Sequence, residues 1–232
     1  MPSTKKKFEE LTGRSHRADL IPWENNSKIL VHEKILPDLI NLKNELKAHG
    51  INLGLVSGYR SYDQQLKIWN EKALGLRKIY DDHHQEVIIT KLSPEEILNA
   101  ILRFSAIPGL SRHHFGSDMD IYDQNIKESK LVQLSVMETM TDFHLLNHHI
   151  NELLNNSDNF GNVFFRPYQN NVGKISEEPW HLSHTITSKK YTDQYDIKVF
   201  NQNIQESDME LKELILKQPE YYFYHYFKIY CH

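Results

Sequence analysis

The chain has 232 residues, of which 39% are hydrophobic and 25% are charged, a composition typical of one globular domain. A formal net charge of −4 argues against a nucleic-acid-binding protein, because such proteins neutralise phosphates with clustered lysine and arginine. The sequence shows no run of about 18 apolar residues that would cross a membrane, and its one cysteine, Cys231, excludes an intrachain disulfide.

The first residues, MPSTKKKFEELTG, are charged but lack the apolar segment of about 7–15 residues that a secretory signal peptide needs. We therefore expect a cytoplasmic protein, with a periplasmic location as the alternative if a leader has been removed. Residues 1–27 are polar, and we expect them to form a loosely structured lead-in. No feature of the sequence indicates an oligomeric state.

The first regular elements follow this lead-in. Leu39, Leu42 and Leu46 recur at helical spacing and predict a helix over residues 38–49. The sequence INLGLVS that follows predicts a strand, which ends at the stretch SGYR.

Two capping sequences predict the next helices. SYDQ, from Ser61 to Gln64, is typical of a capping box, and SPEE places the N-cap residue Ser93 before a proline at the first helical position. The stretch SGYR therefore lies at a strand-to-helix turn. Further along the chain we predict a strand in SDMDIY, a long amphipathic helix over residues 132–155, a short strand in NVFFRPY, a helix in MELKELILK and an aromatic tail.

The stretch SRHHFGSDMDIY combines two histidines and two aspartates around one glycine. Gly116 permits a sharp turn between the histidines and the strand, in which Asp118 and Asp120 share one face. Two carboxylates close to a histidine repel each other unless a cation lies among them, and a divalent metal ion meets that need. From this stretch alone, His113 and His114 are both possible ligands.

About sixty residues later, the sequence EPWH places Glu178 close to His181. Zinc hydrolases need three protein ligands, an open coordination position and a carboxylate that takes a proton from the bound water. One of these two residues can serve as the base while the other binds the ion. Taken alone, the segment is equally consistent with a surface turn.

Three motifs, in this order and spacing, resemble the D-alanyl-D-alanine carboxypeptidase and dipeptidase family of zinc peptidases. They are SGYRS with Gln65, the pattern SxHxxGxxxD that ends at Asp120, and EPWH. The same fold group includes the peptidoglycan L-alanyl-D-glutamate endopeptidases. The resemblance covers roughly residues 30–190.

The resemblance implies a zinc ion, Zn²⁺, held by His113, Asp120 and His181, with water in the fourth position. It implies that Glu178 is the general base and later the proton donor to the leaving amine. Arg60 is expected to lie over the scissile carbonyl and to stabilise the oxyanion that develops there.

The resemblance also implies a peptidoglycan stem peptide or muropeptide as substrate. Ser111, Gln65 and Arg60 match positions that shape the substrate site, although hydrogen bonding within turns and caps explains the first two equally well. We expect D-alanyl-D-alanine carboxypeptidase activity, with L-alanyl-D-glutamate endopeptidase and D-alanyl-D-alanine dipeptidase activities as alternatives. Loops 74–92 and 123–132 are expected to decide among them. The alternative of another class is a non-catalytic, zinc-containing cell-wall binding module.

Two positions depart from the family pattern. The family shows one histidine where this chain has two, and the spacing from the motif's serine selects His113 over His114. The family usually has a small residue, commonly alanine, in place of Asp118. We expect Asp118 to orient a liganding imidazole, to pair with a cation such as Arg60, or to be a plain surface carboxylate.

The expected fold class is α+β, a single domain with a small central antiparallel sheet and helices packed around it. Residues 28–190 are expected to form the zinc peptidase catalytic domain. Residues 191–232 are expected to add a C-terminal helix and an aromatic tail that pack on the same domain.

Overall fold

The computed structural model describes residues 4–81, 83, 85–125, 141–169 and 172–231. The helix predicted over residues 132–155 is seen from residue 141 onwards, and residues 132–140 lie outside the described part of the chain. Residues 126–132 of the second predicted loop lie outside it as well.

The described residues form an α+β fold, which confirms the predicted fold class. The helices are α1 (Thr4–Leu11), α2 (Leu36–Ala48), α3 (Tyr62–Ala73), α4 (Pro94–Leu102), α5 (Thr141–Asn156), α6 (Asp158–Gly161), α7 (Thr185–Thr192), α8 (Ile197–Gln205), α9 (Lys212–Leu216) and α10 (Pro219–Tyr226). The strands are β1 (Leu20–Pro22), β2 (Leu30–His32), β3 (Leu53–Ser57), β4 (Asp118–Asp123), β5 (Phe164–Phe165) and β6 (His181–His184).

The central sheet has four antiparallel strands in the order β3-β4-β6-β5. Its two inner strands are in a register that places Asp120 opposite His181. Because side chains alternate along a strand, Met119 and Leu182 enter an apolar cluster while Asp120 and His181 point to the opposite face. The polar face of the two inner strands therefore carries residues from two distant motifs.

Two apolar clusters hold the helices to the sheet. In one, α2 packs Leu39, Leu42 and Leu46 against the sheet, which explains why these residues recur at helical spacing. The other joins α3 and α4 to the helices that follow the sheet, and it buries Trp69 and Tyr230. The aromatic tail is thus part of the core. In the part of the chain that the structure describes, every helix is too short or too polar to span a bilayer.

The predicted capping box at Ser61 and the predicted N-cap at Ser93 are both confirmed, and Ser93 also forms a capping box. The hydroxyl of Ser61 accepts from the Gln64 backbone N–H at the start of α3, and the Gln64 side chain accepts from the Ser61 N–H. Ser93 and Glu96 make the same pair of contacts at the start of α4. These local contacts fix where each helix begins.

The expectation of a loosely structured lead-in is wrong for its described residues. Residues 4–11 form α1, which buries Phe8 and Leu11, and residues 20–22 pair with β2. The two apolar side chains are three positions apart, so one helical face can bury both. The domain boundaries at residues 28 and 190 stay a prediction.

Candidate metal centre

Three predicted ligands meet on the polar face of the sheet. His113 lies in a 3₁₀ helix just before β4, Asp120 lies in β4, and His181 is the first residue of β6. One donor atom from each lies within 4.8 Å of the others, and all three side chains are buried. His113 Nε2 is 3.4 Å from Asp120 Oδ2, and His181 Nδ1 is 3.3 Å from Asp120 Oδ1.

A left-handed turn joins the 3₁₀ helix to β4. Gly116 has a φ of 71°, and a Cβ atom there would lie 2.7 Å from Leu20 Cδ2 and 3.1 Å from the His32 nitrogen. Only glycine meets both the conformational and the steric requirement without strain. This turn sets the position of His113 relative to Asp120.

Hydrogen bonds fix which imidazole nitrogen faces the centre of the group. His113 Nδ1 lies 2.8 Å from the Gly58 carbonyl oxygen, to which it donates, so Nε2 keeps its lone pair. His181 Nε2 lies 3.1 Å from Asp118 Oδ1, so Nδ1 is the nitrogen available for a metal. Two imidazole nitrogens and one carboxylate are the donor set of a catalytic zinc site with an open fourth position. The residues present therefore fit zinc.

Asp118 is fully buried behind this group. Its carboxylate accepts from Arg112 Nε at 2.7 Å, from the Ser117 hydroxyl at 2.7 Å and from His181. Burial alone would raise the pKa of Asp118, but the charges of Arg112 and His181 overcome burial and hold that pKa well below its usual range. Asp118 is therefore not a surface carboxylate. It does pair with a cation, but this cation is Arg112 and not Arg60.

Arg112 was missed by reasoning from the sequence. It is fully buried, and beyond Asp118 it donates to the Ser183 hydroxyl at 2.7 Å and to the Tyr230 carbonyl at 3.3 Å. The available signal was Asp118 itself, because a carboxylate in place of the usual small residue needs a countercharge.

His114 has no ring nitrogen left for a metal. Its Nδ1 donates to the Arg60 carbonyl at 2.7 Å, and its Nε2 accepts from the Gly109 N–H at 3.1 Å. Burial lowers the pKa of His114 to about 3, so the ring is neutral. This geometry is the one expected if His113 is the ligand.

Glu178 lies beside the three candidate ligands, with Oε2 3.5 Å from His181 Nδ1. Burial raises the pKa of Glu178 to about 8, and the negative charge of Asp120 adds to the effect while His181 and Arg60 oppose it. A divalent cation at the neighbouring ligands would lower this pKa again.

His181 shows the opposite behaviour. Burial disfavours its charged form, but the carboxylates of Asp118 and Asp120 outweigh burial and raise the pKa of His181 to about 9. A metal ion at this group must therefore displace a proton from Nδ1.

Arg60 is held rigidly at the edge of the group. Its Nη1 donates to Gln65 Oε1 at 2.8 Å and its Nη2 donates to the Ser57 hydroxyl at 3.0 Å, while Nη2 lies 3.9 Å from Asp120. Gln65 also donates to the Ala106 carbonyl at 2.7 Å. Both polar atoms of the Gln65 amide thus have protein partners, and this residue positions Arg60.

A cavity of about 540 Å³ opens in front of these residues. It is lined by the three candidate ligands, Arg60, Glu178 and Ser111, and by part of the loop predicted at 74–92. It is also lined by Trp180 of the EPWH motif and by residues that reasoning from the sequence missed, namely Lys72, Ser105 and Tyr168. The ring of Tyr168 lies 4.8 Å from that of His181. Lys72, Ser105 and Tyr168 come together only in the folded chain, and none of them belongs to a motif quoted above.

The chain is similar to several known proteins. The sequence model of the VanY family, D-alanyl-D-alanine carboxypeptidase, matches residues 28–187. An uncharacterized protein of Haemophilus influenzae is 32% identical over 101 residues, which make up 43% of this chain and 68% of that protein.

Two solved structures share the fold. VanYB in complex with D-alanine-D-alanine aligns with a TM-score of 0.53 at 18% identity, covering 88% of this chain and 91% of that one. A mutant of the vancomycin-resistance D,D-pentapeptidase VanY in complex with Zn(II) aligns with a TM-score of 0.51 at 22% identity, covering 87% and 91%. At such identities the structures establish the fold alone. Because the family match spans well over half of the sequence, the chain belongs to the VanY family of D-alanyl-D-alanine carboxypeptidases.

Proposed function

We propose that this protein is a zinc-dependent peptidase that hydrolyses a peptide bond next to a D-amino acid in peptidoglycan peptides. The specific reaction proposed is removal of the terminal D-alanine from a stem peptide. The supporting observation is the buried group of His113, Asp120 and His181, with one nitrogen of each imidazole directed inward and Glu178 Oε2 3.5 Å from His181 Nδ1.

Each protein group has a defined task in such a hydrolysis. A zinc ion held by the three ligands supplies a Lewis acid and lowers the pKa of water. Glu178 Oε2 accepts the proton of the attacking water and then gives it to the leaving amine nitrogen. A carboxylate whose pKa lies near the working pH can do both.

Arg60 supplies the stabilising charge for the carbonyl oxygen as it becomes an oxyanion. Gln65 and Ser57 hold its guanidinium in place, so little reorganisation is needed when that charge develops. The presence of both Arg60 and Glu178 favours an enzyme over a binding module on the same fold.

The choice of D-alanyl-D-alanine as substrate rests on the family and on the complex of VanYB with D-alanine-D-alanine. A substrate panel tests it. The zinc-loaded protein is incubated with a stem pentapeptide ending in D-alanyl-D-alanine, with free D-alanyl-D-alanine and with an L-alanyl-D-glutamate muropeptide, each with and without chelator.

We expect D-alanine release from the pentapeptide that stops when the chelator is added. Glu178→Gln is the matched control, and it should bind zinc and peptide but release no alanine. Cleavage of only the dipeptide or only the muropeptide would reassign the substrate. Tight muropeptide binding without hydrolysis of any peptide would identify a binding module.

A further inference from the structure

The wall of the cavity formed by α3 and the following loop is rich in cations. Arg60, Lys72, Arg77 and Lys78 all line the cavity. The acidic groups that line it, Asp120 and Glu178, lie at the candidate metal centre. The cavity thus has an acidic end that suits a metal ion and a cationic wall beside it.

Three of these cations, Arg60, Arg77 and Lys78, have a carboxylate partner within the protein. Arg77 pairs with Glu71 at 2.9 Å, and Lys78 pairs with Glu86 at 2.5 Å. Lys72 differs, because its Nζ donates to the hydroxyl of Ser105 at 2.5 Å. In the part of the chain that the structure describes, no carboxylate lies within ion-pair distance of Lys72 Nζ.

The surroundings of Lys72 disfavour a charge. Ile68, Ala100 and Phe104 line the same cavity. Burial lowers the pKa of Lys72 to about 8, and the positive charges of Arg77 and Arg60 add to the effect while Glu178 opposes it. A partly buried ammonium group is stabilised by a hydrogen bond and by pairing with an opposite charge. Lys72 has the hydrogen bond and, among the described residues, lacks the carboxylate.

We propose that Lys72 and Ser105 form a binding site for a carboxylate of the peptide substrate. The ammonium group and the hydroxyl are two donors placed side by side, an arrangement that suits the two oxygens of one carboxylate. The proposal rests on the proposed function and deepens it. According to this proposal, the substrate is a peptide with a free carboxylate that reaches Lys72. This group is either the C-terminal carboxylate or the α-carboxylate of a D-glutamate residue.

The experiment measures peptide binding without turnover. Zinc-loaded Glu178→Gln protein is compared with the same protein carrying Lys72→Met, by calorimetric titration with the stem pentapeptide. We expect Lys72→Met to raise the Kd at least about tenfold, as for loss of a charged hydrogen bond. Lys72→Arg should retain most of the affinity. Lys67→Met is the matched control on the exposed face of the same helix, and its Kd should be unchanged.

Two neutralised peptides identify the carboxylate. One has an amidated C-terminus, and the other has D-isoglutamine, in which the α-carboxyl is an amide, in place of D-glutamate. The effect of Lys72→Met should vanish for the peptide that lacks the bound carboxylate and persist for the other. An unchanged Kd for every peptide, or an equal loss for charged and neutral peptides, would overturn the proposal. Failure of the proposed function would appear separately, as absence of hydrolysis by the zinc-loaded wild type.

Discussion

Asp118 links a candidate metal ligand to a buried arginine. It accepts hydrogen bonds from His181 Nε2 and from Arg112 Nε, so one carboxylate serves both the metal centre and the ion pair behind it. A carboxylate that accepts from a liganding imidazole fixes the ring and strengthens it as a donor.

Replacing Asp118 by alanine, the common residue of the family, should weaken both zinc binding and folding. Loss of the contact with His181 should reduce zinc affinity about 10–100-fold. Loss of the partner of Arg112 should lower the free energy of unfolding by about 3–5 kcal/mol, because a buried charge remains unpaired. Competition with a fluorescent chelator and urea unfolding measure the two effects.

The double variant Arg112→Met/Asp118→Ala separates the two roles. It removes both charges and keeps apolar volume, so most of the lost stability should return. Zinc affinity should stay low, because His181 still lacks its acceptor. Wild-type zinc affinity in both variants would contradict an orienting role for Asp118.

His114 should contribute to the pH dependence of stability. Its pKa is lowered to about 3 in the folded protein, whereas an unfolded histidine titrates near 6.5. The unfolded state therefore binds the extra proton first, and stability is lost as the pH falls from about 6.5 towards 3, by about 1.4 kcal/mol per pH unit. The main physical reason is that burial disfavours the charged ring, and Nε2 also accepts a hydrogen bond from the Gly109 N–H.

The test compares His114→Asn with the wild type in urea unfolding between pH 7.5 and 4.5, with chelator present. Asparagine keeps a donor for the Arg60 carbonyl but has no group that titrates here. We expect the variant to be less stable at pH 7.5 and to lose stability less steeply below pH 6.5. Parallel curves would show that His114 does not carry this dependence.

At the scale of elements, the junction between the 3₁₀ helix and β4 governs the ligand geometry. Gly116→Ala should cost about 3 kcal/mol, the upper range for a strained backbone, because the new Cβ meets Leu20 and the backbone of His32. It should also weaken zinc binding, since it displaces His113 relative to Asp120. Thermal unfolding and a zinc titration measure the two effects.

Gly50→Ala is the matched control for this substitution. Gly50 has a similar φ of 77°, but a Cβ there meets no atom within 4 Å. Only the conformational cost remains, about 1 kcal/mol, and zinc affinity should not change. Equal losses of stability and zinc affinity in the two variants would refute the role given to the junction.

The helices show which features can be predicted from the sequence and which cannot. Capping contacts span only three residues, so the sequence around Ser61 and Ser93 correctly predicts where α3 and α4 begin. The lead-in was misjudged, because the few apolar residues of α1 are buried by partners far along the chain. Arg112 and Lys72 could not be predicted for the same reason. Each makes hydrogen bonds to a residue that is distant in the sequence, Tyr230 for Arg112 and Ser105 for Lys72.

For the whole molecule, zinc should act as a cross-link between segments far apart in the sequence. Its ligands come from the 3₁₀ helix, β4 and β6, so the unfolded chain cannot present them together. At a free zinc concentration a thousandfold above Kd, the ion should add about 4 kcal/mol of stability. For a chain of this size that corresponds to a rise in Tm of roughly 10 °C.

Differential scanning calorimetry with zinc and with chelator measures this shift. His113→Ala should show the same Tm under both conditions, because one ligand is missing. If the Tm of the wild type is the same with zinc and with chelator, the ion does not contribute to stability. A variant that keeps the full shift would show that the ligand is misassigned.

The contact between Arg112 and the Tyr230 carbonyl has a consequence for biosynthesis. The ribosome makes Arg112 and the three ligands well before Tyr230, so the nascent chain holds the ligands while Arg112 still lacks one of its acceptors. The partner of Asp118 then becomes fully hydrogen-bonded only after residue 230 has left the exit tunnel. The ligands of the metal centre can thus be made before residue 230, but the support behind His181 is completed only after that residue.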